Sequence, residues 1–252
     1  MSPADRATVA AAFEAARRSA HAPGEYVGQE SFMTAGEIRD LARRAGIGPG
    51  DRVLDLCCGV AGPGRLVAAE TGCRYLGIDQ DPAAVGLARE AAGDLPCRFE
   101  VGVVPPVPAG PFDVVLLLET LLAFRDKGPL LAGVTTALRP GGRFAFTVEE
   151  GRPLSAAERA AMPASDTVWP VLLPDLREVL ERHGFEVDSV TDATEAHGNT
   201  AQALLTAFLA HRSAIAAEIG TAAVDGLVRS HRLWATWLRR GRIRKLGIVA
   251  VR

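Results

Sequence analysis

The stretch VLDLCCGVAGPGRLV, residues 53–67, gathers side chains and turns that could bind or react. Two thiols, Cys57 and Cys58, stand beside Gly59, Gly62 and Gly64, and Asp55 precedes them. The chemistry open to this set is a metal site, a redox pair or the lip of a ligand pocket. Cys57, Cys58, Cys73 and Cys97 form no C-x-x-C pair and no Cys/His ligand spacing, so no metal is expected. Reduced, buried thiols of a cytoplasmic protein are expected instead. A glycine turn lets backbone approach a ligand with no Cβ in the way. Asp79 follows Gly59 by twenty residues. A carboxylate placed there can accept hydrogen bonds from both hydroxyls of a ribose. The order Gly59-x-x-Gly62-x-Gly64 departs from the G-x-G-x-x-G fingerprint that faces a pyrophosphate, which disfavours a nicotinamide oxidoreductase. Asp55, close to the turn, suits a ligand ammonium and is poorly suited to phosphates.

The elements that must hold these residues follow from the pattern. The chain has 252 residues, 48% hydrophobic and 23% charged, enough for one large α/β domain. A net charge of −2 gives no global field toward nucleic acid or an anionic membrane. No apolar run approaches the roughly 18–20 residues of a membrane span. Residues 1–20 carry acids and no continuous apolar stretch, so an amphipathic helix is expected there rather than a secretory signal. Strands are expected at 51–56, 74–79, 97–104, 112–118 and 143–148, with helices at 64–71, 82–92 and 128–138. This alternation predicts a doubly wound parallel sheet, with ligands beyond the carboxyl ends of its strands. Residues 151–170 read as irregular, 174–183 as a helix and 185–190 as a strand. Helices at 200–219 and about 222–240 then precede a last strand at 243–251.

Four motifs in register, VLDLCCGVAGPG, YLGIDQDP, GPFDVVLLLETLLAF and LRPGGRFAFTVEEG, resemble the class I S-adenosylmethionine-dependent methyltransferases, most of all the bacterial small-molecule branch. The resemblance implies a Rossmann-like, mostly parallel seven-stranded sheet of order 3-2-1-4-5-7-6, with helices on both faces. One methyltransferase domain would span 1–252: N-terminal helices and lid at 1–45, a cofactor-binding core at 46–150, and an acceptor cap at 151–252 with its helical insertion at about 197–240. It implies S-adenosylmethionine as cofactor, with S-adenosylhomocysteine as product. By position, Asp55, Gly59, Gly62 and nearby backbone would hold the methionine portion, Asp79 the ribose, and Gln80 the adenine flank. Val103 and Val104 would offer the adenine apolar contact where the family often has an acid. Cys57 and Ala61 depart from the pattern, standing where glycine is usual.

The acceptor side is carried by scattered residues. Glu119 ends the fourth strand and is expected to contact the acceptor or the methionine portion. Glu149 and Glu150 end the fifth strand and point opposite ways, so at most one faces the pocket; Glu149 is taken as the candidate. His197, just past the sixth strand, is the candidate general base. Related enzymes often place a histidine where this chain has Phe124. Tyr26, Gln29, Phe32 and Met33 are expected in a lid over the cofactor, as the resemblance implies, and Trp169 in the acceptor wall. Trp234 and Trp237 read as core, and the basic C-terminus as a solvated helix end and edge strand. The expected acceptor is a small molecule, within bacterial secondary metabolism, with no nucleic acid and no membrane partner; a homodimer is left open. The alternative is a methyltransferase-like protein that binds the cofactor but catalyses another step, such as cyclisation, or only binds ligand.

Overall fold

In the computed structural model, residues 11–163 and 166–252 are described; residues 1–10, half of the expected first helix, lie outside them. Seven strands form one sheet in the order β3-β2-β1-β4-β5-β7-β6. They are β1 (Arg52–Leu56), β2 (Arg74–Asp79), β3 (Cys97–Val101), β4 (Phe112–Leu117), β5 (Leu138–Glu150), β6 (Glu186–Asp192) and β7 (Arg244–Val251). β1 to β5 pair in parallel, and β7 runs antiparallel to both β5 and β6. The expected Rossmann-like order is therefore the observed one.

Alternation along the strands builds two cores. Leu54, Leu56, Val115, Leu117, Phe144 and Phe146 face helices α5 (Gly128–Ala137) and α7 (Leu173–Arg182). Val53, Val114, Leu116, Ala145 and Val249 face α2 (Ala35–Arg44), α3 (Gly62–Thr71) and α4 (Pro82–Ala92). Pro82 at the first turn of α4 and an Asp81 cap on the Ala83 N–H explain why that helix starts where it does.

A third apolar cluster lies off the sheet. α1 (Ala11–Ser19) packs against α8 (Thr194–Ala210), α9 (Arg212–Ile219) and α10 (Thr221–Arg239) through Ala16, Leu204, Phe208, Ile215 and Val224. The N-terminus and the insertion between β6 and β7 thus form one cap.

Several boundaries differ from the sequence reading. The expected helix 200–219 is two helices joined at His211, and α8 starts six residues earlier, so His197 sits in its first turns. β3 stops at Val101, before a turn rich in proline. β5 begins at Leu138, five residues before the expected start at 143, and runs through Pro140-Gly141-Gly142. The expected irregular 151–170 contains a short helix, α6 (Ala156–Ala161), with Ser155 and Glu158 closing a capping box; its residues 164 and 165 are outside the described set. The last strand is no edge. β7 lies between β5 and β6, which buries Lys245, so the reading of this basic stretch as solvated fails there.

Candidate functional site

A cleft of about 430 Å³ opens beyond the carboxyl ends of β1, β2 and β4. The backbone after β1 turns through left-handed conformations at Cys57 (φ 59°), Gly59 (φ 55°) and Ala61 (φ 54°). Glycine meets that demand freely, whereas Cys57 and Ala61 carry a side chain there at a cost. Gly62 and Gly64 answer a different demand, that of space. A Cβ on Gly62 would meet the Val27 carbonyl oxygen at 2.3 Å, and one on Gly64 the Tyr75 hydroxyl at 2.0 Å. The first contact lets residues 27–28 lie on the turn, and the second seats Tyr75 beside Asp55.

Two acids of the cleft have distinct environments. Asp79 accepts from the Gly59 N–H (2.8 Å) with one oxygen and from the Asp81 N–H (2.9 Å) with the other. A carboxylate has about four lone-pair sites, so two remain for the hydroxyls of a ribose. Asp55 is buried and accepts from the Tyr75 hydroxyl at 2.5 Å. Burial pushes its carboxyl up to about 7, although the tyrosine bond works the other way. A ligand ammonium would supply the missing counter-charge. Among the described residues no Lys, Arg or His lines the cleft, so no cationic side chain is placed there for a phosphate. Ribose acceptors, an ammonium partner and no cation together fit S-adenosylmethionine. Cys57 and Cys58 line the cleft as protonated thiols, Cys57 pushed up to about 12 by burial and Cys58 higher still.

A second cavity, of about 270 Å³, lies under the cap. It shares Glu30, Ser31 and Glu119 with the cleft. Its deep end is ionic. Lys245 binds the carboxylates of Glu119 (2.6 Å) and Glu149. His197, 1% exposed, has Nδ1 3.9 Å from Glu119 and Nε2 3.4 Å from Glu37. Glu37 is the capping-box acid of α2; its other oxygen accepts from the Thr34 N–H at 2.7 Å. Burial acts to raise the Glu119 carboxyl, but the Lys245 and His197 charges outweigh it and hold the group below its ordinary value. The same carboxylates outweigh burial at Lys245 and hold its ammonium above the ordinary lysine value. Glu119 is also held in a left-handed conformation (φ 60°), its N–H donating to Thr147 Oγ1 at 2.6 Å. Aromatic walls complete the cavity: Phe32 meets His197, His231 and Trp234 edge-on. Burial pushes His231 down to about 4, so it stays neutral, with Nδ1 on the Leu227 carbonyl.

The expected site residues divide by this geometry. Asp55, Gly59, Gly62, Asp79, Gln80, Val104, Glu119, Phe124 and Gln29 line the cleft. Phe32, His197, Glu119 and Glu149 line the second cavity. Four others do not line either. Val103 is 65% exposed, because the chain turns after β3 and only Val104 points in. Tyr26 donates its hydroxyl to Glu14 at 2.7 Å and so faces α1. Met33 is in the core between α2 and the sheet. The Trp169 ring is clasped by the Arg125 and Arg159 guanidiniums, and its backbone N–H donates to the Leu122 carbonyl. Gln29 touches the cleft, yet its amide is spent on Val27, Glu25 and Met33, so its observed part is to shape the N-terminal loop. Sequence reasoning missed Lys245, Glu37, His231 and Trp234. Only the capping-box spacing Thr34-x-x-Glu37 carried a signal, and it pointed to a helix start.

Comparison with known proteins agrees with the cleft. A family model described as a methyltransferase domain matches residues 29–190. The 27-O-demethylrifamycin SV methyltransferase of Amycolatopsis mediterranei is 32% identical over 68% of this chain and 68% of its own. An uncharacterized methyltransferase of Synechocystis is 31% identical over 56% of this chain and 69% of its own. The chain spans only 34% of a sterol 24-C-methyltransferase of Eremothecium gossypii that it also matches. Among solved structures, the mycolic acid cyclopropane synthase CmaA1 with S-adenosylhomocysteine bound covers 100% of this chain at TM-score 0.81 and 14% identity, with 99% of that chain covered.

Proposed function

We propose that this chain, which belongs to the methyltransferase domain family and is an S-adenosylmethionine-dependent methyltransferase, methylates a small molecule held in the second cavity. The observation that carries this reading is the shared wall: Glu30, Ser31 and Glu119 border both the cleft and the cavity. An acceptor in the cavity would therefore lie next to the cofactor. The volume is near the lower end for ligand pockets and suits a small molecule or one arm of a larger one. The Amycolatopsis relative, named for a rifamycin acceptor, supports a place in bacterial secondary metabolism.

When bound, S-adenosylmethionine supplies an electrophilic methyl group on a sulfonium. The chain supplies alignment, which such a displacement needs more than a nucleophilic side chain. Asp79 would hold the ribose of the cofactor and Asp55 its methionine ammonium. Residues 27–31, braced by Gln29, cover the turn and keep water out. His197 takes a proton from the acceptor where the acceptor must lose one. Glu37 orients its ring from the far side.

Incubation with methyl-labelled S-adenosylmethionine and a panel of small-molecule, protein and RNA acceptors tests the reading. Label is expected on small molecules only; label on protein or RNA alone, or on nothing, overturns it. With the acceptor in hand, His197→Ala should lower kcat by about 10²-fold or more. S-adenosylhomocysteine affinity should stay unchanged, and an unchanged kcat removes His197 as the base.

A further inference from the structure

We propose that the group the second cavity recognises is an amine, presented as an ammonium on an apolar or aromatic body. This rests on the reading of that cavity as the acceptor site. Three observations carry it.

First, the charges lining the cavity do not balance. Glu30, Glu119 and Glu149 line it with Arg17 and Lys245, His231 is neutral, and Glu37 stands behind His197, so a charge on that ring is matched by its own acid. Arg17 is turned toward the Gln29 carbonyl and the Phe13 ring. At the deep end, therefore, two buried carboxylates share one ammonium. Buried charge without a partner is expensive, so the site favours a ligand that adds a positive charge.

Second, around Lys245 the polar atoms left without a hydrogen bond are of the accepting kind, while the unpaired donor of the lining, Arg17 Nε, belongs to the side chain turned toward Gln29 and Phe13. Glu149 Oε2 and His197 Nδ1 make no hydrogen bond. With a single ring proton on Nε2, on the side of Glu37 at 3.4 Å, Nδ1 keeps its lone pair. A hydroxyl offers one donor for these two acceptors. An ammonium offers two or three. The terminal torsion of a glutamate is soft, so Glu149 can turn its free oxygen to a ligand at little cost.

Third, the walls suit a cation carried on a hydrophobic body. Phe32 and Trp234 present rings, with Leu122, Leu227 and Leu238 beside them. Aromatic faces attract a desolvated ammonium and accept an apolar frame. An anionic acceptor would meet the same carboxylates as repulsion.

The test compares two fragments of equal shape, benzylamine and benzyl alcohol, titrated into the full chain at neutral pH by ligand-observed NMR. The readout is binding, with no turnover needed. Benzylamine is expected to bind at least about tenfold tighter, as one charge-assisted hydrogen bond allows. Glu149→Gln should remove that advantage and leave the alcohol unchanged. Leu227→Trp, which fills the cavity, should abolish both. Equal or tighter binding of the alcohol, displaced by Leu227→Trp, overturns the amine inference and leaves the cavity reading standing. Benzylamine binding that survives Leu227→Trp, or no binding of either fragment, overturns both. The wild-type comparison stands even where Glu149→Gln fails to fold.

Discussion

At the residue scale, the two cleft acids have opposite tasks, and each gives a measurable outcome. Asp79 is held by two backbone N–H groups and keeps lone pairs free for a ribose. Asp79→Ala should weaken S-adenosylhomocysteine by at least about tenfold in calorimetry, since a lost charge-assisted hydrogen bond is worth about 1.5–3 kcal/mol. Unchanged affinity would remove Asp79 from the ribose site. Asp55 behaves as a proton store. Burial pushes it up to about 7, so near neutrality the ligand-free protein holds a proton that the unfolded chain has released. Its raised value makes the ligand-free fold less stable as pH rises from about 4 toward about 7. A cofactor ammonium favours the carboxylate and expels the proton. S-adenosylhomocysteine affinity should therefore rise from about pH 6 to about pH 8, with proton release seen as buffer-dependent heats near pH 6. Asp55→Asn should flatten that dependence; a wild-type affinity flat in pH would sink the link between Asp55 and the ligand ammonium.

At the element scale, the first turn shows how a helix start can be built on strain. Ala61 is the N-cap of α3 yet has no side-chain oxygen to cap with, and it sits at φ 54°. A left-handed alanine costs about 1–2 kcal/mol. Glycine in its place would add about 0.5–1 kcal/mol of chain entropy to be lost on folding. Ala61→Gly should thus raise stability by roughly 0.5–1 kcal/mol in denaturant unfolding. A destabilised variant would mean that the Ala61 methyl packing outweighs the strain. The departures at Cys57 and Ala61 were visible in the sequence as missing glycines, and the structure shows what they cost: both hold the backbone conformation that glycine ordinarily supplies. This turn was readable because all its parts lie within about a dozen consecutive residues, as do β2 with Asp79 and β4 with Glu119.

At the scale of the whole molecule, the second cavity was barely readable, because it is assembled from distant parts. Phe32, Glu119, Glu149, His197, Trp234 and Lys245 come from the N-terminal loop, the loop after β4, β5, α8, α10 and β7. No local pattern announces that these meet. Lys245 shows why most plainly. The last 27 residues carry eight basic side chains and no acid, which reads as a solvated stretch. The strand order places β7 between β5 and β6 and draws this one lysine inside, 2% exposed, to the carboxylates of Glu119, just past β4, and Glu149 in β5. The ion cluster thereby ties the last strand to the middle of the sheet. Glu119 is held below its ordinary value, so its share of the stability is present above about pH 4.3 and is lost as pH falls through the folded value. Lys245 is held above its own, so its share is full below about pH 10.4 and is lost as pH rises through the folded value. Between these limits Lys245→Ala leaves two buried carboxylates facing each other without the ammonium that joins them. That should cost about 3–5 kcal/mol in denaturant unfolding near neutral pH. The cost should shrink in acid, where the orphaned glutamates can take up protons. Lys245→Met combined with Glu119→Gln and Glu149→Gln should recover most of it, because removing every charge removes the penalty of stranding some. A Lys245→Ala variant as stable as the parent would show that solvent reaches these carboxylates, and that the cluster does not hold the last strand in place.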